Sequence, residues 1–180
     1  AAFMTGLERK ADVVHMATYA PLFAHVEGWQ WRPDLIWFDN LRSMPTASYY
    51  VQQLYATNRG TNVVPLTMDK KPLTGAEGQN GLFASAVWDA PTSTYIVKVS
   101  NTSDEPQTID LDFAGLKKNM SIADGTSLTL TGTDLDAENT LDNPDLIKPV
   151  EGSAPVSGQA FSATLAPNSF TVYKFPLVKK

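Results

Sequence analysis

From Thr61 onward, apolar residues recur at every second position in short runs, and this alternation limits the fold more than any other feature. The runs are Tyr95, Val97 and Val99; Ile109, Leu111 and Phe113; Leu128 and Leu130; and Phe161, Ala163 and Leu165. Successive side chains of a strand point to opposite faces, so this spacing puts an apolar face against a polar one. Turn-rich segments connect the runs. The pattern predicts a mainly β fold, namely an antiparallel β-sandwich of jelly-roll-like form.

One long segment, residues 134–158, interrupts the alternation and is expected to cross one end of the sandwich as a loop. It carries six carboxylates, at Asp134, Asp136, Glu138, Asp142, Asp145 and Glu151. Their spacing does not match an EF-hand, which needs a glycine at its sixth position and a glutamate at its twelfth. A solvated loop therefore explains them better than a calcium site, and we predict no metal ligands.

The residues before Thr61 have a different composition, beginning with helix formers from Ala1 to Lys10. Glu8 lies near the end of this predicted helix beside Arg9 and Lys10, where we expect an exposed ion pair of little energetic value. The sequence starts without methionine, and no start signal precedes the helix. We therefore expect the chain to be a downstream part of a longer polypeptide.

Residues 12–40 contain three of the four tryptophans and both histidines of the chain. The run Val13–Tyr19 ends before Pro21 and predicts a buried strand, although an amphipathic helix over residues 12–23 is an alternative. Trp29, Trp31 and Arg32 then crowd a connection that Pro33 forces to be extended or turned. Such a loop is suited to one wall of a sugar site, because aromatic faces bury CH surface. The alternative is a hydrophobic plug between two domains.

Residues 41–60 predict a second helix. Ser43 or Thr46 is a suitable N-cap, and Asn58 with Gly60 marks the end. Between them an apolar stripe recurs at helical spacing, formed by Ala47, Tyr50, Val51 and Leu54. Tyrosines at this spacing are more often core residues than binding residues.

Four separated motifs resemble a known family. AAFMTGLERKADVVHMATYAPLFAHVEGWQWRPDLIWFDNLR followed by SYYVQQLYATNRG resembles the end of the catalytic domain of α-L-arabinofuranosidases of glycoside hydrolase family 51. AENTLDNPDLIKPV and LAPNSFTVYKF resemble the two signatures of that family's C-terminal β-sandwich domain. The motifs occur in the order of the family and cover nearly the whole chain.

The resemblance implies two domains. Residues 1–62 would be the end of a (β/α)8 barrel, with residues 1–11 as the helix after its seventh strand and residues 12–19 as its eighth strand. Residues 63–180 would be the accessory sandwich. Active sites of such barrels lie at the C-terminal ends of the strands. Tyr19, Trp29 and Trp31 are therefore the expected substrate-binding residues.

No residue of this chain is expected to be catalytic. Glycoside hydrolysis usually needs a pair of carboxyl groups on opposite sides of the scissile bond. The resemblance implies that both glutamates precede Ala1, so Glu8, Glu27, Asp34 and Asp39 are not candidates. His15, in an apolar run, is expected to be a core residue, whereas His25, in the following loop, is the better candidate for a function.

Composition excludes several classes of partner. A net charge of −5 without a basic cluster argues against nucleic acid and anionic membranes. The absence of cysteine excludes disulfides and thiolate metal sites and leaves the compartment unassigned, with a secreted or periplasmic protein favoured. No cofactor is expected.

Two functional interpretations remain. The first is the C-terminal portion of an exo-acting, retaining α-L-arabinofuranosidase that acts on glycans such as arabinan or arabinoxylan. Its partner would be the upstream part of the enzyme or a second copy. The alternative is a non-catalytic carbohydrate-binding or structural β-sandwich module.

Overall fold

The computed structural model describes residues 1–73, 79–132 and 134–180. Two helices and fourteen strands make up this part of the chain. The helices are α1 (Ala2–Arg9) and α2 (Ala47–Thr57). The strands are β1 (Phe23–His25), β2 (Ile36–Phe38), β3 (Ser43–Pro45), β4 (Asn62–Val64), β5 (Thr67–Met68), β6 (Lys71–Pro72), β7 (Leu82–Asp89), β8 (Thr94–Asn101), β9 (Gln107–Asp112), β10 (Met120–Ile122), β11 (Gly125–Thr131), β12 (Val150–Ala154), β13 (Ala160–Leu165) and β14 (Ser169–Lys179). The prediction of a mainly β fold with antiparallel sheets is confirmed.

The main sheet has seven strands in the order β12-β11-β14-β8-β7-β4, with β10 also paired to β14. All of its pairs are antiparallel. The long strand β14 lies at its centre, where Val172 opposes Lys98 of β8 and Leu128 of β11. The alternating runs found in the sequence are therefore real strands.

A second layer covers one face of the main sheet. It contains the antiparallel pair of β9 and β13, in which Phe161 opposes Leu111. Phe161 packs against Tyr173 and Phe175 of β14, with ring centroids 4.9 and 5.0 Å apart. The inner core of the sandwich lies between these two layers.

The two helices cover the opposite, outer face of the main sheet. Leu54 and Tyr55 of α2 pack in one cluster with Phe170 and Val172 of β14 and Val87 of β7. Ala1 and Met4, at the start of the chain, pack against the same cluster. The main sheet is thus covered on both faces, and the N-terminal residues share a core with the sandwich.

Helix α2 forms where the sequence predicts it. Thr46 is the N-cap, and its hydroxyl accepts a hydrogen bond from the backbone N–H of Tyr49 at 3.3 Å. This bond satisfies one of the free N–H groups at the helix start. Asn58 is the C-cap, as predicted.

The predicted strand at residues 13–19 is wrong, and so is the alternative helix over residues 12–23. The chain makes turns to Val13 and then has no regular structure until β1 begins at Phe23. Strand β1 has a partner because it runs parallel to β2, whereas residues 13–19 pair with no described strand. An extended segment without a neighbour cannot satisfy its backbone groups by strand pairing. Val13 and Met16 are accordingly exposed.

Residues 134–158 are only partly a loop, because Val150–Ala154 forms β12 at the edge of the main sheet. This strand has little side-chain alternation, and Gly152 lies opposite Ser127 of β11. Backbone pairing with β11 rather than a buried face maintains it. No helix within the described ranges is long and apolar enough to cross a membrane.

Candidate functional site

The aromatic loop, residues 26–35, connects β1 to β2 and carries Trp29 and Trp31, two of the three predicted sugar-binding residues. Parallel pairing of β1 with β2 brings the two ends of the loop together. Trp37 of β2 is buried beneath the loop, and Trp29 meets it edge to face at 5.9 Å. The loop is therefore packed on its own small sheet rather than projecting freely.

Trp29 and Trp31 line one concave surface, with a cavity volume of about 350 Å³. Trp29 is 47% exposed and Trp31 is 63% exposed, so both keep free aromatic surface. Pro21, Phe23 and His25 are further lining residues. A cavity of this size is within the range of small-ligand sites.

Tyr19 does not line this cavity. It is half-buried in the irregular segment before β1. The structure thus brings together two of the three predicted binding residues and leaves the third outside.

Arg32 fixes the opposite side of the aromatic loop. Its guanidinium lies 4.9 Å from the ring centre of Trp37 and 5.4 Å from that of Trp29. It also pairs with Glu138 of the 134–149 loop at 3.1 Å. A cation over aromatic faces is attractive, and this contact joins the aromatic loop to the sandwich.

A second cavity of about 370 Å³ lies between the aromatic loop and residues 137–141. Asp34 contributes to the walls of both cavities. It is 3% exposed, and its Oδ2 is buried without a hydrogen-bond donor among the described residues. No sequence pattern predicts this burial, because the burial of an aspartate after proline has no local signature.

The two histidines differ from each other in environment. His15 is exposed in the irregular segment, so the prediction of a core residue is wrong. His25 lies beside the ring of Phe38, with centroids 5.3 Å apart, and its Nδ1 accepts the backbone N–H of Glu27 at 3.2 Å. His25 therefore belongs to the cavity of the two tryptophans.

The carboxylate of Asp39 is already engaged. Its Oδ1 accepts the backbone N–H groups of Leu41 and Arg42, which hold the pKa of Asp39 below its ordinary value. Its Oδ2 pairs with Arg42, which also reaches Asp142 at 2.8 Å. This is a structural network rather than an acid–base pair.

Glu8 does not form the predicted exposed ion pair. Its carboxylate pairs with Lys98 of β8 at 2.5 Å, and the side chain of Lys98 is completely buried. The sequence suggested Arg9 and Lys10 as partners because they are adjacent. The actual partner is 90 residues away in the sequence, and the pairing depends on how α1 packs on the sheet.

The 134–149 loop, called the acidic loop below, is held by exposed ion pairs. Glu138 meets Arg32, Asp142 meets Arg42 and Asp145 meets Lys148. Within the described residues, no group of three or more histidine, aspartate or glutamate side chains is arranged to hold a metal ion. The pairs of Glu138 with Arg32 and of Asp142 with Arg42 connect the N-terminal residues to this loop.

Comparison with known proteins shows what the chain is related to. Residues 1–169 match the family model for the α-L-arabinofuranosidase C-terminal domain. An extracellular exo-α-L-arabinofuranosidase of Streptomyces chartreusis is 42% identical over 154 residues, which is 78% of this chain and 18% of that protein. A probable α-L-arabinofuranosidase A of Aspergillus terreus is 36% identical over 92% of this chain and 24% of that protein.

Solved structures agree with these relatives. The arabinose-bound α-L-arabinofuranosidase MgGH51 superimposes with a TM-score of 0.85 at 29% identity, over 99% of this chain and 26% of that one. A family 51 α-L-arabinofuranosidase from Thermotoga petrophila has the same fold, with a TM-score of 0.71. The chain spans about a fifth to a quarter of the length of the curated relatives that it matches. The resemblance seen in the motifs is confirmed, and the chain belongs to the α-L-arabinofuranosidase C-terminal domain family.

Proposed function

We propose that this chain is the C-terminal portion of an exo-acting, retaining α-L-arabinofuranosidase that releases arabinofuranose from arabinan- or arabinoxylan-type glycans. The observation that carries the proposal is the family match over residues 1–169. The relatives are several times longer than this chain, which leaves room for a catalytic domain ahead of the matched region.

The proposal puts the catalytic carboxylates upstream of Ala1. Residues 12–40 contain four carboxylates, at Asp12, Glu27, Asp34 and Asp39. Asp39 is bound by Arg42, and Asp34 is 3% exposed. Cleavage with retention needs two carboxyl groups ~5 Å apart that face the sugar. Asp34 is buried and Asp39 is engaged, so neither of these two side chains meets that requirement.

We further propose that residues 1–62 complete a catalytic barrel and that residues 63–180 form the accessory sandwich. Large apolar side chains of the first part are exposed, including Val13, Met16, Leu22, Phe23 and Leu41. Several large exposed apolar side chains that lie so close together in the sequence support an interface. The upstream catalytic part is the proposed occupant of this interface, with a second copy as the alternative.

Trp29 and Trp31 are the proposed substrate-contacting residues, and Tyr19 is proposed to approach the glycan only in the complete enzyme. The exposed faces of the tryptophans support stacking on a sugar ring. His25 and Gln30 line the same cavity and add polar groups that suit hydroxyls.

A chimera tests the proposed activity. The upstream part of the Streptomyces chartreusis relative is fused ahead of Ala1 and assayed with 4-nitrophenyl α-L-arabinofuranoside. We expect hydrolysis by the chimera and none by the 180-residue chain alone. A folded chimera without activity would contradict the proposed function. Turnover by the repurified chain alone would contradict the upstream position of the carboxylate pair.

The same chimera tests the substrate contact. Trp31→Ala is expected to lower kcat/KM about tenfold, because one stacking contact is worth about 1.4 kcal/mol. Leu146→Ala is the matched control, since Leu146 is also exposed and apolar but lies in the acidic loop. Equal effects of the two variants on kcat/KM would show that Trp31 does not contact the substrate.

A further inference from the structure

The most unusual buried group in the described chain is Lys98. It lies in β8 on the outer face of the main sheet and is one of the large side chains that are fully buried. Its ammonium pairs with Glu8 Oε1 of α1 at 2.5 Å. Burying an ammonium is costly unless it is paired and hydrogen-bonded. The position of Glu8 is therefore a condition for the burial of Lys98.

The Glu8 carboxylate is bound by two adjacent strands. Lys98 of β8 donates to Oε1, and the hydroxyl of Ser85 on β7 donates to Oε2 at 2.5 Å. The next residue, Arg9, donates to the backbone carbonyl of Ala84 on β7 and to the hydroxyl of Thr5. The last turn of α1 is thus held at several directional contacts on β7 and β8.

Helix α2 meets the same cation. The ring of Tyr55 lies 5.2 Å from Lys98 Nζ and stacks on Phe170 of β14 with centroids 5.2 Å apart. The hydroxyl of Tyr55 donates to the carbonyl of Ala1 at 3.4 Å. Lys98 therefore contacts both helices that cover the outer face of the sheet.

The apolar contacts of α1 are much less specific. Ala1 and Met4 pack against the outer cluster, whereas Phe3 is 78% exposed. Contacts of this kind depend on buried area and not on direction. Methionine in particular adapts to different surroundings. Apart from the directional contacts of its last turn, α1 therefore has little that fixes its rotation or its position along the sheet.

We infer that the Glu8–Lys98 pair is an orientation device that selects one position of the N-terminal segment on the sandwich. Its role is specificity of docking more than net stability. Replacing a buried ion pair with apolar residues is often neutral for stability, whereas removing one partner leaves an uncompensated charge. These two behaviours separate an orientation device from a simple stabilising contact. The inference concerns this chain alone and does not depend on the proposed enzymatic activity.

The test compares single and matched apolar variants. Lys98→Met and Glu8→Gln are each expected to accelerate amide exchange in α1 more than about a hundredfold, because one charge or its partner is left unpaired. The triple variant Glu8→Met, Ser85→Ala, Lys98→Met removes the charges and the hydroxyl together. The midpoint temperature of its thermal unfolding is expected to lie within a few degrees of that of the parent protein.

The position of α1 is measured with two spin labels, which the absence of native cysteine allows. Phe3→Cys labels α1, and Ser162→Cys labels the exposed side of β13. The parent protein should give one narrow distance distribution, and the triple variant a broadened or multiple one. Lys148→Met, which removes an exposed ion pair with Asp145, is the control and should leave the distribution unchanged. A triple variant with the narrow parental distribution would overturn the inference, as would single variants that exchange at the parental rate.

Discussion

Tyr55 is a phenol whose burial should become visible at alkaline pH. Burial against the outer cluster raises its pKa above the ordinary value of 10.0, and the nearby charge of Glu8 acts in the same direction. The folded protein therefore keeps this proton where the unfolded chain releases it. The contribution of this phenol to the free energy of unfolding is fully present below pH 10. Above pH 10 it falls by about 1.4 kcal/mol per pH unit for one proton.

Tyr55→Phe tests this dependence. We expect the free energy of unfolding of the variant to fall less steeply than that of the parent protein between pH 10 and 11, as measured by urea denaturation. The slope should not vanish, because burial also raises the pKa of Tyr50 and Tyr173. Lys98 has the opposite effect on the free energy of unfolding. Because burial lowers its pKa from the ordinary value of 10.5, its contribution to stability rises with pH up to that value. Parallel slopes of variant and parent would contradict the burial of this phenol.

At the scale of single elements, Gly125, the first residue of β11, has no room for a side chain against β14. A Cβ added there would lie 2.2 Å from the carbonyl oxygen of Lys174 and 2.8 Å from the ring of Phe175. Backbone cannot move away without breaking the ladder between the two strands. Gly125→Ala is therefore expected to cost about 3 kcal/mol or more, as an overpacked core site does.

Gly28→Ala is the matched control for this variant. A Cβ at Gly28, in the aromatic loop, would meet nothing within 4 Å. Its free energy of unfolding should stay within about 0.5 kcal/mol of the parent value. Thermal denaturation of both variants measures the difference, and a loss of only about 0.5 kcal/mol in Gly125→Ala as well would show that β11 adapts to a side chain.

The elements that the sequence predicts correctly are those whose information is local. The alternation at Tyr95, Val97 and Val99 lies in β8, and the cap at Thr46 begins α2. In each case a few neighbouring residues decide the structure, because a strand face and a helix cap are properties of short segments.

The errors arise where a distant partner decides the structure. Residues 13–19 have the composition of a strand but pair with no described strand, whereas Val150–Ala154 has a poor pattern and pairs with β11. The neighbours of Glu8 in the sequence predict a solvated side chain, whereas its partner Lys98 lies on β8, far along the chain. Trp29 and Trp31 could be predicted to lie together because both crowd one short connection, but the exclusion of Tyr19 from their cavity could not be predicted.

At the scale of the whole molecule, residues 1–62 and the sandwich are joined by two kinds of contact. The outer apolar cluster and the Glu8–Lys98 pair hold α1 and α2 on the main sheet. Exposed ion pairs of Arg32 and Arg42 hold the aromatic loop region to the acidic loop. The exposed pairs are worth little individually, so the first contact dominates.

The last prediction concerns removal of residues 1–60. A fragment from Thr61 to Lys180 keeps the inner core but exposes Val87, Phe170 and Val172 and leaves Lys98 without Glu8. We expect it to be less stable than the complete chain and to self-associate through the open face, as measured by urea denaturation and light scattering.

Lys98→Met should cost about 3 kcal/mol in the complete chain, because it leaves the Glu8 charge without a partner. In the fragment the same substitution should cost about 0.5 kcal/mol or less, because no partner remains to be stranded. An equal cost in both backgrounds would show that Lys98 acts within the sandwich alone.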